Sequence, residues 1–231
     1  MHNNRIIIVT GSSRGIGAEI SLSLISKGDT VIMASRNIDK LHELTKNVKG
    51  NFSIVETDVE DYESIKSLVN FTIEKYGRID ALVNNAGYVN PKSIFETSLE
   101  NWNKTININL TGVFLMTKEV VRYMKKTGGR IINIASTAGL SSRPGWSAYA
   151  ASKAGLINFS NTMAEELREY NIKIFIIAPG RTATDLRRRL APNEDPKTIM
   201  QADKVANIVE FMLSDKANVI EGQVIEVRER K

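Results

Sequence analysis

Residues 5–10, Arg5-Ile6-Ile7-Ile8-Val9-Thr10, form an apolar, β-branched run that ends directly on Gly11-Ser12-Ser13-Arg14-Gly15-Ile16-Gly17. Such a run reads as a strand buried on both faces, the kind found inside a parallel sheet. Behind the glycines, Ile16, Ile20, Leu24 and Ile25 recur at helical spacing and mark one buried face. Strand, glycine-rich turn and helix in this order is the dinucleotide-binding arrangement. Gly11 permits the tight turn, Gly15 lets the backbone approach a pyrophosphate, and Gly17 lets the helix pack closely on the strand. The helix N-terminus then offers free N–H groups and positive partial charge to phosphates. Three glycines in seven residues can also be only a turn. Their place between strand and helix favours binding.

The same alternation runs through the rest of the chain. Strand-like runs occupy residues 5–10, 30–35, 51–57, 79–84, 130–136, 172–178 and 223–227. Helical patterns lie between them at 15–27, 38–48, 62–76, 99–126, 146–170 and 203–213. Alternation of this kind predicts an α/β fold: a Rossmann-type, doubly wound, seven-stranded parallel sheet with helices on both faces. No linker, repeat or low-complexity stretch interrupts it, so residues 1–231 are expected to form one domain. Ligands of such sheets bind at the carboxyl ends of the strands. The polar segments 11–14, 35–36, 84–87 and 179–184, with Asp58 and Ser136, fall at those ends.

Tyr149 and Lys153 stand four residues apart in Tyr149-Ala150-Ala151-Ser152-Lys153, a spacing that puts both on one helix face. A phenol normally keeps its proton to a pKa of about 10. A fixed ammonium nearby is expected to lower that value toward useful acid–base chemistry. Ser136 ends the run Ile131-Ile132-Asn133-Ile134-Ala135, placing a hydroxyl at the mouth of a strand. Ser, Tyr and Lys can thus converge on one carbonyl oxygen. The bland alternative is an amphipathic aromatic beside a solvated charge.

Taken together, the glycine loop after Thr10, the segment Asn84-Asn85-Ala86-Gly87, Ser136 and Tyr149-x-x-x-Lys153 resemble the short-chain dehydrogenase/reductase family across nearly the whole chain. The resemblance implies a catalytic group of Asn109, Ser136, Tyr149 and Lys153. Tyr149 would be the general acid/base, Ser136 would stabilise charge on the oxygen, and Lys153 would hold the nicotinamide ribose. Asn109 would anchor a water that relays protons to Lys153; its alternative is a kink-associated Asn, with Asn107 close by. Dinucleotide contacts would come from Gly11, Ser13, Arg14, Gly15, Ile16, Gly17, Ser35 and Arg36 on the first two strand ends. Asp58, Val59, Asn85, Ala86 and Gly87 would follow, then Tyr149 and Lys153, and finally Pro179, Gly180, Thr182 and Thr184. Arg181, after the glycine, departs from the usual pattern. Asp58 would reach the adenine amino group, or else cap the helix that begins near Asp61.

The second strand ends in Ser35-Arg36 with no acid to repel a 2′-phosphate. Arg36 and Arg14 are suited to that phosphate by their forked donors, so NADP(H) is expected over NAD(H). The alternative makes both arginines solvated loop residues. Around the reacting carbon, Tyr88, Ser141, Arg143, Trp146 and the segment 182–196 would form the substrate pocket, with a short lid around 182–202. Arg187-Arg188-Arg189 in that lid would either meet an anionic substrate or be a solvated face. The expected activity is hydride transfer between NADPH and a carbonyl or secondary alcohol, with 3-oxoacyl thioesters, and hence a carrier protein, as the narrower guess. A non-catalytic NADP(H)-binding regulator of the same fold is the alternative. Helices at 99–126 and 146–170 are the family's usual contact surfaces, which predicts a homotetramer or homodimer.

Composition narrows the field. The chain has 231 residues, is 42% hydrophobic and 25% charged, as ordinary globular proteins are. It has no cysteine, which excludes disulfides, thiolate catalysis and cysteine metal sites, and no metal is expected. His2 and His42 have no catalytic setting. The net charge of +5 is dispersed without a nucleic-acid motif, and no apolar stretch approaches the roughly 20 residues that span a bilayer. A strand beginning at residue 5 leaves no room for a signal peptide, so a cytoplasmic protein with neither nucleic acid nor membrane as partner is expected. The basic ending Val227-Arg228-Glu229-Arg230-Lys231 departs from many relatives.

Overall fold

Alternate residues of the first strand feed two different cores. In a computed structural model, which describes residues 4–229, β1 (Ile6–Thr10) is buried along its whole length. Ile7 and Val9 point into one apolar layer, and Ile6 and Ile8 into the other. That two-sided burial is why the strand reads as a continuous apolar run. β2 (Thr30–Ser35) repeats it, with Val31 and Met33 on the first side and Ile32 and Ala34 on the second.

The first layer is covered by α1 (Gly15–Ser26), α2 (Ile38–Thr45) and α8 (Ala202–Met212), through Leu24, Leu41 and Val209. The second is covered by α3 (Tyr62–Tyr76), α5 (Gly112–Met124) and α6 (Ser147–Glu166), through Leu68, Val120 and Ala164. Each fully buried Leu or Ile contributes roughly 1.5–3 kcal/mol. The remaining strands are β3 (Phe52–Glu56), β4 (Ala81–Asn84), β5 (Gly129–Ile134), β6 (Ile172–Pro179) and β9 (Val224–Val227). Sheet order is β3-β2-β1-β4-β5-β6-β9, with every pairing parallel. The doubly wound seven-stranded sheet is therefore as expected.

Three local features differ from the sequence expectation. The helix expected over 99–126 is α4 (Leu99–Ile106), a π-helical turn at Asn107–Thr111, and α5. The helix expected over 146–170 ends at Glu166 and gives way to a 3-10 turn, after which Asn171 reverses the chain in a left-handed conformation, φ 54°. Between β6 and α8 lie β7 (Thr182–Ala183), α7 (Asp185–Leu190) and β8 (Met200–Gln201), with β7 and β8 paired. Among the described residues, no helix is long and apolar enough to cross a membrane. His2, Arg230 and Lys231 lie outside those residues. Arg228 is described, and pairs with Glu226.

Candidate active site

β1 lies between β2 and β4 in the sheet, so the chain winds away from it in opposite directions, and a crevice opens at the carboxyl ends. A cleft of about 600 Å³ occupies that place. Every residue expected to contact a dinucleotide lines it, with Gly15 of the glycine loop facing Thr184.

The glycine loop is held from below. The Asn85 and Ala86 N–H groups both donate to the Thr10 hydroxyl at 3.0 Å, and the Asn85 amide donates to the carbonyls of Thr10 and Gly11. β4 is thereby stapled to the end of β1. Gly17 is required by this closeness rather than by the strand itself. A Cβ there would lie 2.4 Å from both the Gly11 carbonyl oxygen and the Asn85 amide nitrogen. Gly15 adopts φ +56° and faces Thr184. No side chain caps α1 and its first turn holds no acid. Its N–H groups remain available to an anion, as binding a pyrophosphate requires.

Ser136, Tyr149 and Lys153 come together on the opposite wall. Ser136 follows β5, and its hydroxyl accepts from the Ala138 N–H at 3.2 Å to open a 3-10 turn. That turn packs on α6 at Gly139, where a Cβ would lie 2.7 Å from the Lys153 carbonyl carbon. Glycine at 139 therefore lets the Ser136 turn close against the helix that carries Tyr149 and Lys153; the sequence reading did not single it out. α6 is also tied to the sheet by a buried chain of side chains. Asn84 donates to Asn133 at 2.9 Å, Asn133 donates to Ser160 at 2.8 Å, and Ser160 donates to the Leu156 carbonyl.

Electrostatics here differ from the expectation that Lys153 lowers the phenol. Burial pushes the Tyr149 phenol above its ordinary value, while its hydrogen bond with Ser136 and the charge of Arg143 pull it back. Lys153 does share a face with Tyr149, its Nζ lying 5.9 Å from the ring centroid. Its donated bond, however, goes to the Ile134 carbonyl at 2.8 Å. Burial brings the Lys153 ammonium down to about 8. The two shifts share one cause, desolvation, which penalises each charged form.

Asn109 occupies the π-helical turn and is fully buried. Its Oδ1 accepts from the Tyr88 N–H at 2.8 Å, and its Nδ2 donates to the Tyr88 carbonyl at 2.8 Å and to the Ser152 hydroxyl at 3.0 Å. An Asn inside a helix thus has a structural reason: the π-turn aims its amide across to the loop after β4 and to α6. Asn109 is not among the residues that line the cleft, unlike the other three members of the expected catalytic group.

At the far end, the Ser35 hydroxyl donates to Ser13 at 2.9 Å. Arg36 is half-exposed and lies 3.7 Å from Asp58 and 3.8 Å from Glu60. The cap of α3 is Asp61, which accepts from Glu63, whereas Asp58 turns its own loop by accepting from the Glu60 N–H. That decides against Asp58 as the cap.

The expected substrate wall is largely in place. Tyr88, Arg143 and Trp146 line the cleft, as do Thr182, Thr184, Asp185, Leu186, Arg187, Arg189 and Leu190 of the expected segment 182–196, whereas residues 191–196 do not; the Trp146 ring meets Tyr149 edge-on at 5.8 Å. Ser141 does not line it; its hydroxyl turns back to the Thr137 carbonyl. Arg187 forms a bidentate pair with Glu194, which also takes Arg181 at 2.8 Å. Arg188 and Arg189 are exposed. The arginine run is thus split: Arg187 is latched to Glu194, Arg189 is exposed at the cleft, and Arg188 is exposed away from it.

Residues 5–195 match the family model described as short chain dehydrogenase. A 3-oxoacyl-[acyl-carrier-protein] reductase of Thermotoga maritima is 36% identical, covering 96% of this chain and 95% of that protein. The corresponding reductase of Escherichia coli is 35% identical over the same shares. The crystal structure of a short-chain dehydrogenase/reductase from Mycobacterium marinum superposes with a TM-score of 0.91 at 27% identity, covering 97% of this chain and 94% of that one. The chain belongs to the short-chain dehydrogenase/reductase family of nicotinamide-dependent oxidoreductases.

Proposed function

We propose that the protein is an NADPH-dependent carbonyl reductase with 3-oxoacyl thioesters as its narrower substrate class. The observation that carries this reading is the meeting of Ser136 and Tyr149 at one cleft wall, with Lys153 buried behind them. The nicotinamide supplies the hydride when bound. Tyr149 donates a proton to the carbonyl oxygen as negative charge develops there, and its raised pKa keeps the phenol protonated near neutral pH. Ser136 donates a hydrogen bond to the same oxygen. Lys153 holds the nicotinamide ribose hydroxyls, and Asn109 fixes the Tyr88 backbone and α6 relative to one another.

Preference for NADPH is supported by Arg36 and Arg14 at the adenosine end and by the lack of an acid at residues 35 and 36. The thioester class is supported by the names of the Thermotoga and Escherichia relatives, which would make a carrier protein the donor of substrate. The chain would work as one domain, with the segment 182–202 as its lid. Exposed Leu99, Phe114 and Tyr123 on α4 and α5 support a homotetramer or homodimer through those helices. Oxidation of NADPH with a 3-oxoacyl thioester, compared between the wild type and Tyr149→Phe, tests the reading.

A further inference from the structure

Arg143 stands out at the reacting end of the cleft. It is partly buried, between the 3-10 turn after Ser136 and the start of α6. Its guanidinium donates to the Thr137 hydroxyl at 3.2 Å, which fixes one side of the fork. Its charge is felt at the Tyr149 phenol. Among the described residues, no carboxylate lies within salt-bridge distance of it. The same holds for Arg189, which lines the same cleft from α7. Arg181 and Arg187 differ, because those two share Glu194 as a counter-charge. The carboxylates lining the cleft are Asp58, beside Arg36 at the adenosine end, and Asp185, exposed at the start of α7.

A guanidinium drawn out of water without a counter-charge is costly, and a substrate anion offsets that cost with charge-assisted, forked hydrogen bonds. We propose that the reacting end of this cleft takes carbonyl substrates that carry an oxyanionic group, a carboxylate or a phosphate ester, and that Arg143 is the residue that anchors it. This rests on the reductase reading and adds a substrate class to it. Arg143 is anchored on Thr137, the neighbour of Ser136, so a carbonyl oxygen held by Ser136 and Tyr149 places the substrate's anion toward the Thr137–Trp146 segment. Arg189 adds attraction from α7 across the opening. Trp146, edge-on to Tyr149 and three residues from Arg143, reports on occupancy.

The test reads binding, so it does not depend on turnover. The NADPH-loaded protein is titrated with 3-hydroxybutanoate, with its amide and with glycerol 3-phosphate, following tryptophan fluorescence. Wild type, Arg143→Gln, Arg143→Lys and Trp146→Phe are compared. The expected result is that a charged ligand binds at least about tenfold tighter than the neutral amide. Arg143→Gln should collapse that ratio toward one, Arg143→Lys should restore part of it, and Trp146→Phe should remove the signal. The carboxylate and phosphate arms tell which anion the site takes. A ratio near one in the wild type, or a ratio that survives Arg143→Gln, overturns the proposal. Such a result leaves the reductase reading standing if Tyr149→Phe still abolishes reduction of a neutral ketone. Loss of that neutral activity dependence would instead fault the reading beneath it.

Discussion

The Lys153 Nζ donates to the Ile134 carbonyl at 2.8 Å, linking the second turn of α6 to the last residue of β5. A catalytic-type ammonium is thus parked on backbone inside the protein, 4% exposed. One carbonyl is a poor substitute for water around a charge, which is why its pKa falls to about 8.

That shift has a signed consequence for stability. Between about 8 and the ordinary value of 10.5, the unfolded chain holds the Lys153 proton more tightly than the folded one, so this residue makes stability rise with pH. Below about 8 both states are protonated and the penalty of burying the charge is complete. Lys153→Met should therefore gain most over the wild type below pH 8, and the gain should shrink as pH rises toward 10.5. Urea midpoints of the two proteins across that range would show it. A difference flat with pH would mean the ammonium is not desolvated as described.

Asn109→Ala should lose roughly 2–4 kcal/mol, because it strips three hydrogen bonds and leaves the Tyr88 N–H and carbonyl without their partner. Denaturant unfolding checks the magnitude. Asn109→Asp keeps an acceptor for the Tyr88 N–H but loses both donors and sets a buried carboxylate against the Tyr88 carbonyl, so it should lose at least as much as Asn109→Ala.

Gly17→Ala and Gly139→Ala should fail differently. At Gly17 the methyl meets the Gly11 backbone, so dinucleotide affinity should fall by at least about tenfold, with a stability loss of about 1–3 kcal/mol. At Gly139 the methyl meets the Lys153 backbone and pushes the Ser136 turn off α6. That variant should lose kcat while dinucleotide binding persists. Equilibrium binding and steady-state rates on both variants separate the two losses.

How much of this was legible in the sequence depends on the range of the interaction involved. The β-branched runs at Ile6–Thr10 and Thr30–Ser35 announce strands because both faces are buried, and the strand ends then place the loops of the cleft. The π-turn at Asn107–Thr111 was invisible, since one wider turn barely disturbs the apolar period on either side. The two-residue strands Thr182–Ala183 and Met200–Gln201 are too short to carry a pattern. Contacts between distant residues were also hidden, among them Lys153 with Ile134 and Glu194 with Arg181 and Arg187. The expectation about the phenol missed for the same reason: helix spacing puts Lys153 on the face of Tyr149, but only the fold reveals what its Nζ bonds.

Arg36→Asp should erode or reverse the preference for NADPH. Arg36 is half-exposed and only loosely engaged with Asp58 and Glu60, at 3.7 and 3.8 Å, so its guanidinium is free to turn to a phosphate. An added carboxylate would join those two and repel one. The ratio of dissociation constants for NADPH and NADH measures the effect, and an unchanged ratio would make Arg36 a solvated loop residue.

The most direct test of the central claim is the rate of NADPH consumption with a 3-oxoacyl thioester, measured for the wild type and Tyr149→Phe alongside the affinity of each for NADPH. With Tyr149 as the proton donor, the wild type turns over and Tyr149→Phe is slower by at least about 10²-fold, while NADPH affinity stays within a few-fold. A Tyr149→Phe enzyme that keeps the wild-type rate, or a wild type that binds neither NADPH nor NADH, would contradict the account.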